Sequence, residues 1–265
     1  MATQQLDLFV EDTGEAGLPT LLCLHSLFLD GRMFDGLAAA AAGTFRVVRP
    51  DFRGQGRSAP ADGEIVDMET CADDVEAVLD HLALDRVSVV AQSMGGDVAI
   101  RLAARRPDAV AAMVLLGSSA RDEPQENLDA FRPIADEVAR NGFAGELYET
   151  TMQIMFGATT RANPERAGIV EHWGRQIAAL PPALAPAIRG VVERPSVVDL
   201  LPAIDVPVLV VSGEEDIARP PAWADEVVAG LPRAELLRLP GIGHSPILEA
   251  PETVVPRVLG FLAAV

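Results

Sequence analysis

One serine has the sequence context of a nucleophile. Ser93 follows a β-branched apolar run and precedes a Gly-Gly pair, in the segment Ala91-Gln92-Ser93-Met94-Gly95. A strand that turns sharply into a helix at a serine needs small residues two positions away, and Ala91 and Gly95 meet that need. Such a turn lifts the hydroxyl above the strand end, towards the positive N-terminus of the helix. The segment predicts a nucleophile, the alternative being a serine that only hydrogen bonds in a buried turn.

A serine hydroxyl is a weak nucleophile at neutral pH and needs a base. Of the four histidines, His81 and His172 fall on helical segments whose polar faces meet solvent, and His25 ends an early strand. His244 lies in "LPGIGHSPILEAPE", a glycine-containing loop between the last predicted strand and the closing helix. Such a loop can bring an imidazole over the serine turn, so we predict His244 as the base.

The base in turn needs a carboxylate that orients its ring. The segment "PVLVVSGEEDIARPP" places Glu214, Glu215 and Asp216 just past a predicted strand. Asp216 is favoured because the chain has room there to turn back before Pro220, and Glu215 is the alternative. The order serine, aspartate, histidine along the chain is typical of a strand–turn–helix nucleophile.

Charge excludes several classes of partner. The 265 residues carry a net charge of −18, and all 21 basic residues are arginine. Nucleic acids and anionic membranes bind positive surfaces, so we expect neither as a partner. The lack of lysine excludes Schiff-base chemistry and a Gly-Lys phosphate loop. The N-terminal residues resemble no secretory signal and no apolar run is long enough for a membrane span, so we expect a cytoplasmic protein.

The two cysteines, Cys23 and Cys71, are too few for a zinc site and lack C-x-x-C spacing. We expect both to be reduced packing residues. No metal and no organic cofactor is expected.

Alternating strands and helices must position the three side chains. An alternating edge strand is predicted at 5–10, and the other predicted strands are mostly continuous apolar runs, at 20–25, 45–50, 86–91, 111–117, 207–213 and 234–240. Such runs are typical of parallel strands covered on both faces. Amphipathic helices are predicted at 68–84 and 95–108, and a closing helix at 251–265 that Pro256 could kink. The pattern predicts an α/β protein with a doubly wound, mainly parallel sheet.

The pattern breaks between about residues 120 and 203, where helical pieces and the proline-rich "LPPALAPAIRG" include no convincing strand. We expect a core formed by 1–120 and 204–265, with 121–203 inserted as a helical lid. Extra packing helices without a gating role are the alternative.

Five motifs in order, "LLCLHSLFLDGRMFD", "VVRPDFRGQGRS", "VVAQSMGGDVAI", "VLVVSGEEDIARPP" and "LPGIGHSPILEAPE", resemble the α/β-hydrolase fold superfamily, serine hydrolase branch. The resemblance covers nearly the whole chain. It implies an oxyanion hole formed by the backbone N–H groups of Met94 and Leu27. The loop that usually begins His-Gly-x reads His25-Ser26-Leu27 here. Asp51, Arg53 and the glycines of "DFRGQGRS" are expected to brace that loop.

The substrate is expected to be a small carboxylic ester or lactone. The segments "LHSLFLDGRMFD", "QSMGG" and "MFG" are loosely similar to 3-oxoadipate enol-lactonase-like hydrolases, although the charge of −18 disfavours a dianionic lactone. The alternatives are carbon–carbon hydrolysis, cofactor-free perhydrolysis, or a non-catalytic binding protein of the same fold. An apolar acyl pocket is predicted from Phe28, Met152, Met155, Phe156 and Trp173, each of which could instead be a plain packing residue.

Overall fold

Seven strands form one sheet in the computed structural model, which describes residues 7–265. The strands are β1 (Val10–Asp12), β2 (Thr20–Leu24), β3 (Arg46–Pro50), β4 (Val87–Gln92), β5 (Val110–Leu116), β6 (Val208–Gly213) and β7 (Ala234–Leu239). Their order across the sheet is β1-β3-β2-β4-β5-β6-β7. Only β1 is antiparallel to its neighbour among these strands, so the predicted doubly wound, mainly parallel sheet is confirmed.

The parallel register aligns the strand ends that carry the predicted chemistry. Leu24 pairs with Ala91, Gln92 with Leu116, and Leu116 with Val211. Because parallel strands end at the same edge of a sheet, the segments after β2, β4, β5, β6 and β7 share one rim. Every residue of β2 and β6 is buried, as expected for strands covered on both faces.

Eleven α-helices surround the sheet within the described residues. They are α1 (Asp35–Ala41), α2 (Met68–His81), α3 (Met94–Arg105), α4 (Gln125–Asn141), α5 (Gly145–Met155), α6 (Ala158–Ala162), α7 (Ala167–Ala178), α8 (Ala185–Val192), α9 (Pro221–Gly230), α10 (Pro246–Glu249) and α11 (Pro251–Leu262). Helices α2 and α3 pack against each other, and α1 packs against α11. Helix α11 continues through Pro256.

Residues 120–203, all of which are described, contain helices and no strand. Helices α4 to α8 lie between β5 and β6, as the break in the sequence pattern predicts. Helix α4 packs against α8, and buried side chains of α5 and α7 join the same apolar core as the sheet.

Two edge strands differ from the prediction. The strand predicted at 5–10 begins at Val10, while the described residues Asp7 to Phe9 are outside it and positions 5 and 6 lie outside the described residues. Strand β7 is partly exposed rather than covered on both faces, because it is the outermost strand of the sheet.

The two cysteines are free thiols in the core. Burial raises the pKa of Cys23 to about 12 and also raises the pKa of Cys71. No helix within residues 7–265 is long and apolar enough to cross a bilayer.

Candidate active site

Ser93 stands at a strained turn between β4 and α3. Its φ of 51° and ψ of −112° lie outside the regions that a side chain favours. Positive φ occurs at three non-glycine residues of the described chain, and the others are Phe28 and Ala83. Strain of this kind persists only where surrounding structure enforces it, and it is common at active sites.

Two glycines after the serine allow this turn. A Cβ on Gly95 would lie 2.2 Å from the carbonyl oxygen of Leu24, which is backbone and cannot move aside. A Cβ on Gly96 would lie 2.2 Å from Ser118 Oγ. Helix α3 therefore approaches the ends of β2 and β5 only because both positions lack a side chain.

His244 is hydrogen bonded to Asp216. The ring Nδ1 lies 3.0 Å and 2.9 Å from the two carboxylate oxygens. Asp216 Oδ1 also accepts the backbone N–H groups of Ala218 at 2.9 Å and Arg219 at 2.8 Å, so its own loop orients the carboxylate. Gly117, at the end of β5, leaves room for the pair, because a Cβ there would lie 3.3 Å from the ring Nδ1.

Glu215, the alternative acid, faces the inserted helices instead. Its carboxylate accepts the hydroxyl of Thr159 at 2.5 Å and the backbone N–H of the same residue at 2.8 Å. These hydrogen bonds lower the pKa of Glu215. The structure thus separates the two carboxylates: Asp216 contacts the histidine, and Glu215 caps the start of α6.

Glu249 accepts hydrogen bonds from the backbone of the loop that carries His244. Its Oε1 accepts the N–H of Ser245 at 2.9 Å, and its Oε2 accepts the N–H groups of Gly243 at 3.0 Å and Gly157 at 2.9 Å. The carboxylate therefore fixes the residue on each side of His244. Glu249 was not among the residues predicted from the sequence; the only signal was an acidic residue that follows the loop in an otherwise apolar stretch.

Ser93 and His244 line one cavity of about 250 Å³, called the site cavity below. Leu27 and Phe28 line it at the rim of the sheet, and residues from the inserted helices form its apolar wall, including Phe131, Ile134, Leu147, Ile154, Met155 and Ile188. The hydrogen bonds of residues 7–265 include none between Ser93 and His244. Catalytic hydrogen bonds commonly tighten only when substrate is present.

Three predicted pocket residues lie elsewhere, which corrects the acyl-pocket prediction. Phe28 and Met155 line the site cavity, whereas Met152, Phe156 and Trp173 are buried among other core side chains and are not in its wall. Met152 packs near Gly174 of α7. The inserted helices turn these three side chains towards the core.

Two backbone N–H groups are free at the rim. Within the described chain, the backbone N–H groups of Leu27 and Met94 have no hydrogen-bond acceptor, either on the backbone or on a side chain. Met94 is the first residue of α3, where an N–H has no partner inside the helix. These are the two groups that the resemblance implies for an oxyanion hole.

His25 anchors the loop that carries Leu27. Its Nε2 accepts the N–H of Phe52 at 2.8 Å, so its Nδ1 carries the proton and donates to the carbonyl of Ser26 at 2.8 Å. Burial lowers the pKa of His25 and keeps the ring neutral. His81 and His172 are exposed, so His244 is the histidine that faces the cavity.

The turn after β3 braces the same loop. Asp51 accepts the backbone N–H of Gly31 at 2.8 Å and that of Arg57 at 2.8 Å. Arg53 pairs with Asp74 on α2. These contacts fit the structural role expected for "DFRGQGRS".

A buried group of charged residues borders the cavity. Arg219 and Glu123 line it, and Arg194 and Asp97 lie behind them, all buried. This group was not predicted from the sequence, because its members lie far apart in the chain. Within residues 7–265, no cluster of three or more His, Cys, Asp or Glu side chains could hold a metal ion.

Comparison with known proteins shows the family of this chain. The family model for the alpha/beta hydrolase fold matches residues 19–251. The chain is 28% identical over 257 residues to pimeloyl-(acyl-carrier protein) methyl ester esterase of Nitrosomonas europaea, covering 94% of this chain and 96% of that protein. It is 30% identical over 254 residues to polyketide synthase ThaQ of Burkholderia thailandensis, covering 92% of this chain and 12% of the synthase.

Solved structures of hydrolases are similar to this chain over almost its whole length. A thermophilic esterase of Thermogutta terrifontis, in a structure with malate bound, is 34% identical with a TM-score of 0.87, covering 97% of this chain and 93% of the esterase. The enol-lactonase of Burkholderia xenovorans is 25% identical with a TM-score of 0.88, covering 97% of this chain and 96% of the lactonase. The expected likeness to enol-lactonases is thus confirmed. The chain belongs to the α/β-hydrolase family.

Proposed function

We propose that this protein hydrolyses carboxylic esters or lactones, with Ser93 as nucleophile, His244 as base and Asp216 as orienting acid. The observation that carries the proposal is a strained serine and a carboxylate-bound histidine that line one mainly apolar cavity. The similarity to an esterase and an enol-lactonase supports the bond type.

The reaction begins when Ser93 Oγ attacks the substrate carbonyl carbon and its proton passes to His244 Nε2. Asp216 accepts the Nδ1 proton in a hydrogen bond and stabilises the imidazolium. The N–H groups of Leu27 and Met94 stabilise the tetrahedral oxyanion, and losing one such donor typically costs about 100-fold or more in rate.

Collapse of the intermediate breaks the carbon–oxygen bond, and the imidazolium gives its proton to the leaving alkoxide. For a lactone, that alcohol stays attached to the acyl group. Water then attacks the acyl-enzyme while His244 takes its proton, releasing the acid and restoring Ser93.

We also propose that residues 121–203 act as the lid of a core formed by 1–120 and 204–265. The support is that the site cavity has walls from both parts. Hydrogen exchange tests this assignment: a bound transition-state analogue should slow exchange in α4 and α5 much more than in β4 and β5.

A fluorophosphonate probe tests the catalytic proposal. Wild type should be labelled and Ser93→Ala should not, while Ser196→Ala, outside the cavity, should be labelled like wild type. Hydrolysis of p-nitrophenyl esters should fall about 10⁴-fold or more in Ser93→Ala. A folded wild type that neither labels nor hydrolyses any ester or lactone would refute the proposal and favour the binding-protein alternative.

The same panel separates the enzyme alternatives. Esters of varied chain length and lactones should be hydrolysed, and a ring-cleavage dienone should not. Preferential cleavage of the dienone would point to carbon–carbon hydrolysis, and peracid formation from a carboxylic acid and hydrogen peroxide would point to perhydrolysis.

A further inference from the structure

Two side chains with formal charges lie in the described lining of the site cavity. These are Arg219 and Glu123, in a wall that is otherwise mostly apolar. Arg219 is only 5% exposed, so its guanidinium is removed from water and depends on partners inside the protein.

The partners available to Arg219 are too few. Its Nη1 donates to Glu123 Oε1 at 2.6 Å and contacts the carbonyl oxygen of Ala218 at 3.3 Å. Its Nε has no hydrogen-bond partner among the described residues. That Nε is enclosed by protein atoms, whereas Nη2 donates no hydrogen bond in the described structure and lies 3.9 Å from Asp97 Oδ2. A ligand atom in the cavity that accepts from Nη2 would therefore be bound favourably.

The buried group has two arginines and two carboxylates, but only one of the carboxylates forms hydrogen bonds with the arginines. Arg194 and Arg219 both donate to the same carboxylate oxygen of Glu123, at 2.8 Å and 2.6 Å. The other acid, Asp97, lies 3.5 Å and 3.9 Å from these arginines, and neither of its oxygens has a hydrogen bond in the described structure. Burial raises the pKa of Asp97 and lowers the pKa of Arg219.

Glu123 is committed to neighbours rather than to the cavity. Its Oε1 accepts from both arginines, and its Oε2 accepts the side-chain N–H of Asn127 at 2.8 Å. Arg101, the third nearby arginine, directs its Nε to the half-exposed Glu69 on α2. Arg219 therefore remains the cationic group that faces the cavity with spare donors.

We propose that Arg219 binds a substrate carboxylate remote from the scissile carbonyl, so that the preferred substrates are anionic esters or lactones, such as half-esters of aliphatic dicarboxylic acids. This inference rests on the proposed function. A carboxylate supplies the missing hydrogen-bond acceptor, and its charge strengthens the contact with the guanidinium. The apolar wall suits the methylene groups between the two ends. The local arginines oppose the long-range repulsion that a net charge of −18 exerts on such anions.

Chain-matched esters test the inference. The first comparison is between p-nitrophenyl valerate and the mono-p-nitrophenyl ester of glutaric acid. The mono-p-nitrophenyl esters of succinic and adipic acid then vary the length of the anionic substrate. At the best length, kcat/KM should be about 10- to 100-fold higher for the anionic ester, as expected for one charge-assisted hydrogen-bonded contact. In Arg219→Gln this ratio should fall to about 1, and in Arg219→Lys it should be intermediate. Arg121→Gln, an arginine outside the cavity wall that pairs with Glu226, should keep the wild-type ratio.

Two outcomes separate this inference from the proposed function. An active wild type with equal kcat/KM for the neutral and anionic esters overturns the carboxylate site and leaves the hydrolase proposal intact. If no ester is hydrolysed and Ser93 is not labelled, calorimetry still tests the carboxylate site by comparing the binding of glutarate and valerate to the wild type. This measurement does not require any variant to fold. Tighter binding of glutarate supports the site, and equal or absent binding overturns it.

Discussion

Replacing Glu249 by glutamine tests whether the buried carboxylate positions His244, the proposed base. The substitution keeps side-chain length and removes the charge. The amide oxygen can still accept the N–H groups of Gly243 and Gly157, but the NH₂ group then opposes the N–H of Ser245. The loop on one side of His244 loses its anchor.

The size of the effect follows from these three hydrogen bonds. A hydrogen bond to a charged group contributes about 1.5–3 kcal/mol and a neutral one about 0.5–1.5 kcal/mol. Two bonds therefore weaken by about 1 kcal/mol each, and the third is lost. Relief from burying a charge offsets part of this, so the free energy of unfolding should fall by about 3 kcal/mol. For a chain of this size, that lowers Tm by roughly 6 to 12 °C.

Activity should fall by more than the loss of folded protein explains. At 20 °C lower than the variant's Tm, kcat for a p-nitrophenyl ester should drop about 10- to 100-fold with KM little changed, because a displaced imidazole transfers protons poorly. Glu252→Gln is the matched control: it is an exposed glutamate of α11 paired with Arg166, so its loss should cost less than about 1 kcal/mol.

Two results would refute this reasoning. If Glu249→Gln melts at a lower temperature but keeps the wild-type kcat, the carboxylate stabilises the fold without positioning the ring. If it melts like Glu252→Gln, the three hydrogen bonds are weaker than their geometry indicates.

Two other perturbations test the packing under the site. Gly95→Ala should destabilise the protein by about 3 kcal/mol or more in urea unfolding, because the new methyl meets the backbone of Leu24. Gly96→Ala meets the side chain of Ser118 instead, so adding Ser118→Gly should restore stability, and failure of that rescue would contradict the packing argument. Burial raises the pKa of Cys23 to about 12, and the second cysteine is equally buried, so neither should react with a disulfide reagent at pH 8 until the chain is unfolded in urea. Fast labelling of the native protein would show that the thiols are accessible.

The sheet and the serine turn could be predicted because their signals are local. Continuous apolar runs indicate buried parallel strands, and a serine between such a run and Gly95 indicates a sharp turn into a helix. The edge strands of the sheet were harder to predict. Strand β7 contains Glu235 and Arg238 among its apolar residues, and its partial exposure depends on having no neighbour on one side.

The cavity wall could not be predicted from composition. Met152 and Met155 lie three residues apart on α5, yet Met155 lines the cavity and Met152 packs near Gly174. Apolar residues on both sides of an inserted helix give no indication of which side faces the core. Which side faces the core is determined by the elements that pack against the helix.

The polar residues around the site were missed for a related reason. Glu249 acts on backbone groups of Gly157 and Gly243, and Arg219 meets Glu123 across 96 positions of chain. A buried carboxylate or guanidinium is satisfied by whichever donors or acceptors the fold brings near, and no spacing in the sequence records them.

Two carboxylates attach the inserted helices to the loops of Asp216 and His244 at one place. Glu215, beside Asp216, binds Thr159, and Glu249, beneath the histidine loop, binds Gly157. The turn at 157–159 is therefore fixed to both the acid loop and the base loop. A movement of the inserted helices that keeps these bonds must pivot about this turn. In such a movement, α4 and α5, whose side chains form part of the apolar wall of the site cavity, would shift while Asp216 and His244 stay in register.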